Sequence, residues 1–404
     1  MNRYVFFART IRNVGGAQLF LNAKVDYLAS QGWDVRIVYD RGGEAFLPKL
    51  DNYPGLLIEE LDRPAFMYLG YKRKSIIRKI TKFLGQLDEG DVIESHSQAL
   101  SSWAELVAKE YGNVRHWIYE LDERPEMPRE MHQYYRFKYT RNELVGILEQ
   151  SVSIFMQDTG LPMTNGSPFL PAYGAADCVV DVPSRVKIEK GGKYLIGVVG
   201  RLEKPYIWEY AKSAAEFVNQ HPDKQFMILF IGGEPEGDVC KKRIEELFAT
   251  ISNVELLFTG YLFPIPRELV FQLDVCLAGA GAAYGISNEG IVTLPIDPRD
   301  FMCNGVMRVT TEDSVFSDKE KKTVTWWMEE VYNNPKRYVV PIQTVQHDFQ
   351  SHLDYLNCLP LFIEYDDSFL RKRAFSLFVK SILCSILSVK NRERLSSIVR
   401  KIKI

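Results

Sequence analysis

The strongest constraint on the fold of this chain is a repeated alternation of short apolar runs with segments of helical periodicity. Tyr4–Ala8 (YVFFA), Asp34–Tyr39 (DVRIVY), Leu56–Leu61, Asp91–Ser95 (DVIES), Val114–Leu121 (VRHWIYEL) and Ser151–Met156 (SVSIFM) read as six strands. Amphipathic helices are expected between them, including Ala17–Ser30 and Ala99–Glu110. Strands alternating with helices specify βαβ units and a parallel sheet, because a parallel connection needs a crossover. Residues 161–192 break the pattern with Pro162, Pro168, Pro171, Pro183, Gly166, Gly174, Gly191 and Gly192, as a domain boundary does. The alternation then restarts at Tyr194–Val199, Gln225–Ile231, Val254–Phe258, Val275–Ala278 and Val292–Ile296. The expectation is an α/β protein of two Rossmann-like domains facing across a cleft, with boundaries 1–185 and 186–345. A helical segment, 346–404, follows with a basic amphipathic tail. Ligands of open α/β sheets bind at the carboxyl ends of strands, so functional residues should follow strands directly.

Composition excludes several classes. With 46% hydrophobic and 25% charged positions in 404 residues, the chain is neither disordered, collagen-like nor a disulfide scaffold. Six separated cysteines without a CxxC pair or zinc spacing read as thiols in a reducing cytosol. No signal peptide and no uncharged run of 18 apolar residues is expected. The net charge of −2 hides an asymmetry: residues 371–404 carry +9 and the preceding 370 residues carry −11. The tail has Phe375, Phe378, Val379, Ile382, Leu383 and Ile386 on one helical face, surrounded by cations. Such a helix either lies on an anionic bilayer or packs its apolar face on the protein body. Residues 72–82 (KRKSIIRKITK) add six cations around Ile76, Ile77 and Ile80. The acidic remainder and the missing nucleic-acid motifs argue against a nucleic-acid partner.

Three segments carry chemical signals. Gly15-Gly16 after the first strand either lets a backbone approach an anion or forms a tight turn at positive φ. Gly200-Arg201-Leu202-Glu203-Lys204 follows the first strand of the second half. Arg201 and Lys204 there are placed to neutralise a diphosphate, or are solvated surface charges. Gly279–Gly290 reads as a small, polar-tipped loop. The N–H groups of Gly285, Ser287, Asn288, Glu289 and Gly290 would cradle phosphate there, and Glu289 would accept from a vicinal diol or cap a helix. There is no Walker A pattern and no complete GxGxxG. On the acceptor side, His96 follows strand four, and Asp122-Glu123 follow strand five. His96 reads as a structural hydrogen bond at a strand end or as a substrate contact. The two acids orient an acceptor hydroxyl or are solvated.

The order of these segments resembles a GT-B-fold glycosyltransferase of the family-4 kind, enzymes of bacterial surface polysaccharide, lipopolysaccharide and capsule assembly. Gly15-Gly16-Ala17-Gln18 matches that family's first glycine loop. Gly200-Arg201-Leu202 with Lys204 is similar to its diphosphate-holding element. Thr259-Gly260-Tyr261 with Arg267-Glu268-Leu269 looks like the segment leading to its donor loop, and Tyr284-Gly285 with Glu289 resembles the end of its E-x7-E motif. The chain departs from the family at Gly281, where the first Glu of that motif, a donor-sugar contact, is expected.

The resemblance implies that Arg201, Lys204 and Glu289 carry catalysis. It implies a donor site of Gly15, Gly16, Gly200, Arg201, Lys204, Gly285, Ser287, Asn288, Glu289 and Gly290. It implies retention at the anomeric carbon and a C-terminal helix that returns to the first domain. No cofactor or metal is expected, because no DxD-like triplet ends a strand; Asp297-Pro-Arg-Asp300 is the nearest. The expected partners are a nucleotide-diphosphate sugar, a lipid-linked or oligosaccharide acceptor, and an anionic membrane surface met by 72–82 and 371–404. Localisation would be cytoplasmic, peripheral at the inner face. Alternatives on the same fold are a sugar-nucleotide epimerase and a non-catalytic scaffold of a glycan-assembly complex.

Overall fold

The computed structural model describes residues 2–12, 15–42, 47–121, 129–147, 152, 169–170, 178–234, 237–344, 349–365 and 375–392. The chain forms two compact units, Met1–Tyr173 with Asp348–Ile404, and Gly174–His347.

The first unit holds a parallel sheet of β1 (Arg3–Thr10), β2 (Asp34–Arg41), β3 (Gly55–Leu57), β4 (Val92–Ser95), β5 (Arg115–Glu120) and β6 (Leu144–Gly146), in the order β3-β2-β1-β4-β5-β6. Its helices are α1 (Gly16–Ser30), α2 (Gly70–Leu84), α3 (Gln98–Tyr111) and α4 (His132–Thr140). Strands β1 and β4 are almost wholly buried, which explains their unbroken apolar character: a parallel sheet is covered on both faces. One face packs Val5, Phe7, Val38 and Ile93 against Ile76 and Ile80 of α2 and Leu100, Trp103 and Val107 of α3. The apolar stripe Ile76, Ile77 and Ile80 thus belongs to the core, and only the cations of 72–82 are left for a membrane. Ser97 caps α3, accepting from the Leu100 N–H, and Gly112 ends it at φ 78°.

The sixth strand is Leu144–Gly146, not Ser151–Met156. Of the latter segment only Val152 is described, and it is buried with helical backbone. Three residues are too few to show a period, so β6 is invisible in sequence. The expected third strand shortens to Gly55–Leu57, because Glu59–Asp62 turn into a 3₁₀ helix.

The second unit opens with β7 (Val179–Val180) and holds β8 (Tyr194–Val199), β9 (Phe226–Ile231), β10 (Val254–Phe258), β11 (Ile265–Pro266), β12 (Val275–Ala278) and β13 (Thr293–Leu294). Five of these form a parallel sheet in the order β10-β9-β8-β12-β13; β7 pairs with β11. That pairing places 179–180 in the second unit, ahead of the boundary at 185/186. The helices are α5 (Pro205–Gln220), α6 (Val239–Phe248), α7 (Arg267–Val270), α8 (Ala280–Asn288) and α9 (Val324–Asn333). The core joins Ile196, Val198, Phe226, Ile228, Phe230, Val275 and Leu277 of the sheet to Ile207, Tyr210, Ala211, Ala214 and Phe217 of α5.

Two C-terminal helices, α10 (Gln350–Leu356) and α11 (Phe375–Ile386), belong to the first unit. In α11 two serines face inward: Ser381 and Ser385 are buried, and the Ser385 hydroxyl accepts from the Leu69 N–H at 2.8 Å. Val379, Leu383 and Ile386 are 41%, 47% and 70% exposed. The expected apolar stripe is therefore divided, and its Val379–Leu383–Ile386 part faces solvent.

Candidate functional site

Each sheet reverses its strand order once, between β1 and β4 in the first unit and between β8 and β12 in the second. At such a switch point the neighbouring connections leave in opposite directions and open a crevice at the carboxyl edge.

In the second unit the crevice is bounded by Gly200-Arg201 after β8 and Gly279-Ala280 after β12. Gly200 has φ 151°, and its N–H donates to the Ile231 carbonyl at 3.0 Å. Gly232, at φ 153°, lies so close that a Cβ there would sit 2.0 Å from the Gly200 oxygen. A Cβ on Gly233 would meet the Tyr261 ring at 2.5 Å, and the Leu202 N–H donates to the Gly233 carbonyl at 3.0 Å. The loops after β8, β9 and β10 are thus locked together through glycines. Gly232-Gly233 escaped the sequence reading, although two glycines directly after FMILFI were the available signal.

Arg201 projects from this glycine-backed loop, 44% exposed on its side chain. Its ion pair, to Glu203 at 3.2 Å, is between neighbours in sequence. Lys204 is the residue before α5, and its N–H donates to the Arg201 carbonyl. The first turn of α5 contains no acid. Cations at the positive end of a helix dipole are unfavourably placed, and an anion bound there would relieve them.

Residues 280–288 form helix α8, correcting the loop expected at Gly279–Gly290. The small residues suit close packing of a helix, and the chain enters it through Ala280 at φ 50°. The Glu289 and Gly290 N–H groups donate to the Ile286 and Ser287 carbonyls, so they form no free cradle. Ser287 and Asn288 are buried: the Ser287 hydroxyl donates to the Tyr284 carbonyl, and the Asn288 side-chain oxygen accepts from Arg308. The end of α8 at the strand edge is its N-terminus, near Gly279. Glu289 lies a helix length away, about 13 Å for nine residues. Its carboxylate is held by Arg267 in a fork, at 2.8 and 3.2 Å. Asp297 is buried and accepts from Arg299, Lys321 and the Ser317 N–H. Burial would raise its pKa, but those donors bring it down to about 2. Among the described residues no group of three His, Cys, Asp or Glu side chains is arranged to hold a metal ion.

In the first unit, Gly15 caps α1 at φ −177° and Gly16 is helical, so neither needs a left-handed conformation. They lie in a different unit from Arg201. A cavity of about 490 Å³ opens at the carboxyl edge, lined by Arg9, Thr10, Gln18, His96, Ser97 and Gln98 among others. His96 makes the structural bond expected of it, Nε2 to Glu94 at 2.7 Å, and also lines this cavity. Asp122 and Glu123 lie outside the described residues. His116, inside β5, is fully occupied by Glu105 and Ser95. Glu94 and Lys24, which build the environment of His96, were missed. Glu94 lies two residues before His96 in or next to β4, hence on the same face, and that was the available signal.

No protein-family model matches the chain, and no curated protein matches it. Solved structures do. A glycosyltransferase from Rickettsia africae superposes with a TM-score of 0.56 at 12% identity, covering 96% of this chain and 99% of that one. MnaA of S. aureus, solved with UDP, gives 0.51 at 12% identity, covering 89% and 98%. The E. coli trehalose-6-phosphate structure with UDP-2-fluoro glucose gives 0.51 at 13% identity, covering 96% and 100%. At these identities the likeness shows the fold: the chain has the GT-B fold, two Rossmann-like α/β units in one chain.

Proposed function

We propose that the protein is a glycosyltransferase that moves a sugar from a nucleotide-diphosphate sugar to a glycan acceptor, in bacterial surface polysaccharide assembly. The observation that carries this reading is the Gly200-Arg201 loop at the switch point between β8 and β12, in a fold shared with a glycosyltransferase and with two proteins solved with uridine nucleotides. Arg201 and Lys204 would hold the diphosphate and stabilise the charge that grows on it as the glycosidic bond breaks. The pair between Arg201 and Glu203 is no obstacle, since exposed ion pairs are worth only about 0–1 kcal/mol. Glu289, forked by Arg267 at the far end of α8, lies about 13 Å along that helix from the strand edge, so no ribose contact is proposed for it. Retention at the anomeric carbon and catalysis without a metal are part of the proposal, on the family resemblance. Transfer of radiolabelled sugar from a panel of nucleotide sugars tests it. Transfer that falls at least a hundredfold in Arg201→Ala supports it; interconversion of free nucleotide sugars without acceptor would replace it by an epimerase. Unchanged cellular function of Arg201→Ala would favour a non-catalytic scaffold.

The acceptor in this proposal is lipid-linked, and the protein works at an anionic membrane surface. Support comes from α11, whose buried serines leave Val379, Leu383 and Ile386 outward beside Lys380. The Leu69–Ser385 bond sets this helix next to the start of α2, where Lys74 is exposed; Arg78 and Lys79 are exposed farther along the same helix. Apolar side chains among cations suit an interface with acidic headgroups. No described helix is long and apolar enough to cross a membrane. Cosedimentation with phosphatidylglycerol vesicles, lost in Leu383→Glu and absent with phosphatidylcholine, is the expected result. Equal recovery with and without vesicles would remove the membrane from the proposal.

A further inference from the structure

The cavity of the first unit has an unusual wall. Glu94, fully buried, is surrounded by donors: the Lys24 ammonium at 2.6 Å, the Tyr4 hydroxyl, and His96 Nε2 at 2.7 Å. Burial alone would raise the Glu94 pKa, but Lys24 and His96 outweigh it and bring it to about 2. Glu94 is therefore an ionised carboxylate, which only accepts hydrogen bonds. His96 Nε2 must then carry the proton, and in the neutral ring Nδ1 is left with its lone pair. Among the described residues Nδ1 has no partner, and the ring lines the cavity. The edges of Phe6, Phe20 and Tyr119 pack on the imidazole, with centroids at 5.8, 5.8 and 6.3 Å, and fix its plane. Lys24 is itself anchored, by His352 of α10 at 3.0 Å and by the Trp117 ring at 4.9 Å.

We infer that His96 is a substrate-contacting residue of the first unit. Glu94 and Lys24 are positioning residues that hold it as the Nε2–H tautomer, so that Nδ1 accepts a hydrogen bond from a hydroxyl of a neutral polyol in the cavity. The volume suits a sugar-sized ligand. The lining mixes uncharged donors and acceptors, from Thr10, Gln18, Ser97 and Gln98, with apolar side chains such as Leu21 and Leu121, and Arg9 stands among them. The Nδ1 lone pair selects a hydroxyl, which has a proton to donate, over the acceptor oxygens of a carboxylate or a phosphate. The inference rests on the glycosyltransferase reading only in calling this polyol the acceptor.

Selective ¹⁵N labelling of histidine tests it, since the chain has six. In the full-length wild-type protein at pH 9, where the neutral ring is compared, His96 should show a protonated Nε2 and an unprotonated Nδ1. Its Nδ1 resonance should move saturably with at least one of glycerol, methyl α-glucopyranoside, methyl β-galactopyranoside and methyl α-mannopyranoside. Glu94→Gln should mix the tautomers and weaken that response at least tenfold, and His96→Asn should leave nucleotide-induced thermal stabilisation unchanged. A protonated Nδ1 in the wild type, or no movement with any of the four polyols, overturns the inference whether or not Glu94→Gln folds. Nucleotide stabilisation that fails while the His96 response stands would reject the donor reading and leave this one intact.

Discussion

Asp40 is a residue whose chemistry is set by what it lacks. Its side chain is fully buried at the carboxyl end of β2, and its oxygens have no hydrogen-bond partner among the described residues. Arg9 and Arg41 approach only to 3.7 and 4.0 Å. Burial, only partly offset by those arginines, raises its pKa to about 6. A carboxyl whose pKa rises on folding favours the folded state at low pH, and that contribution is lost as the pH passes through the folded value. Asp40→Asn keeps the shape without the charge. It should stabilise the protein at pH 8 by up to about 3 kcal/mol, the equivalent of a two-unit shift. The gain should shrink as the pH falls from 7 toward 4, as urea unfolding at several pH values would read. A gain independent of pH would mean that Asp40 is not the titrating group.

Among the elements, the glycine contacts behind Arg201 are the most constrained. Gly232→Ala would place a Cβ against the Gly200 backbone in a conformation that L-residues avoid. The expected cost is about 2–4 kcal/mol, with a loss of nucleotide binding larger than the loss of stability explains. Thermal unfolding with and without nucleotide separates the two. Elements of this kind were partly legible in the sequence. β8, β10 and β12 match their apolar runs residue for residue; β8 and β12 are covered on both faces, which leaves no polar residue to blur their ends, whereas β10 is a half-buried edge strand with Glu255 exposed. α8 was not legible, since glycine and alanine favour close packing as readily as a loop, and its contacts with Ser314 and Arg308 come from distant sequence. Lys24 was visible as a lone cation between Phe20 and Leu28 on the apolar face of α1. Its partner Glu94 could be found only once β4 was set beside β1.

At the scale of the molecule, the first unit carries two buried charge clusters, Lys24–Glu94–His96 and Lys138–Glu105–Glu143 with His116. For Glu105, as for Glu94, burial is outweighed by the paired lysine and histidine, and its pKa falls to about 2. Burial and Lys138 lower the pKa of His116. All three are depressed on folding, so each contributes stability above its unfolded value and loses it as the pH falls. Between pH 7 and 4.5 the loss through His116 is opposed by the gain through Asp40, so the unfolding midpoint should fall chiefly below the ordinary carboxylate value of 4.5 toward 2, through Glu94 and Glu105. A midpoint flat between pH 4.5 and 2 would contradict this. The asymmetry of charge along the chain has a counterpart in the division of labour proposed here. The second unit presents Arg201 and Lys204 at its strand edge, and the basic residues of α2 and the C-terminal segment belong to the first.

The central claim is that the carboxyl edge of the second sheet binds a nucleotide diphosphate through Arg201. The most direct test is thermal unfolding against UDP, GDP, ADP and their sugars. A ligand at a hundred times its Kd should stabilise the wild type by about 2.7 kcal/mol, seen as a rise of several degrees in Tm, and the rise should vanish in Arg201→Ala. No stabilisation by any of these nucleotides, or an equal rise in Arg201→Ala, would contradict the account.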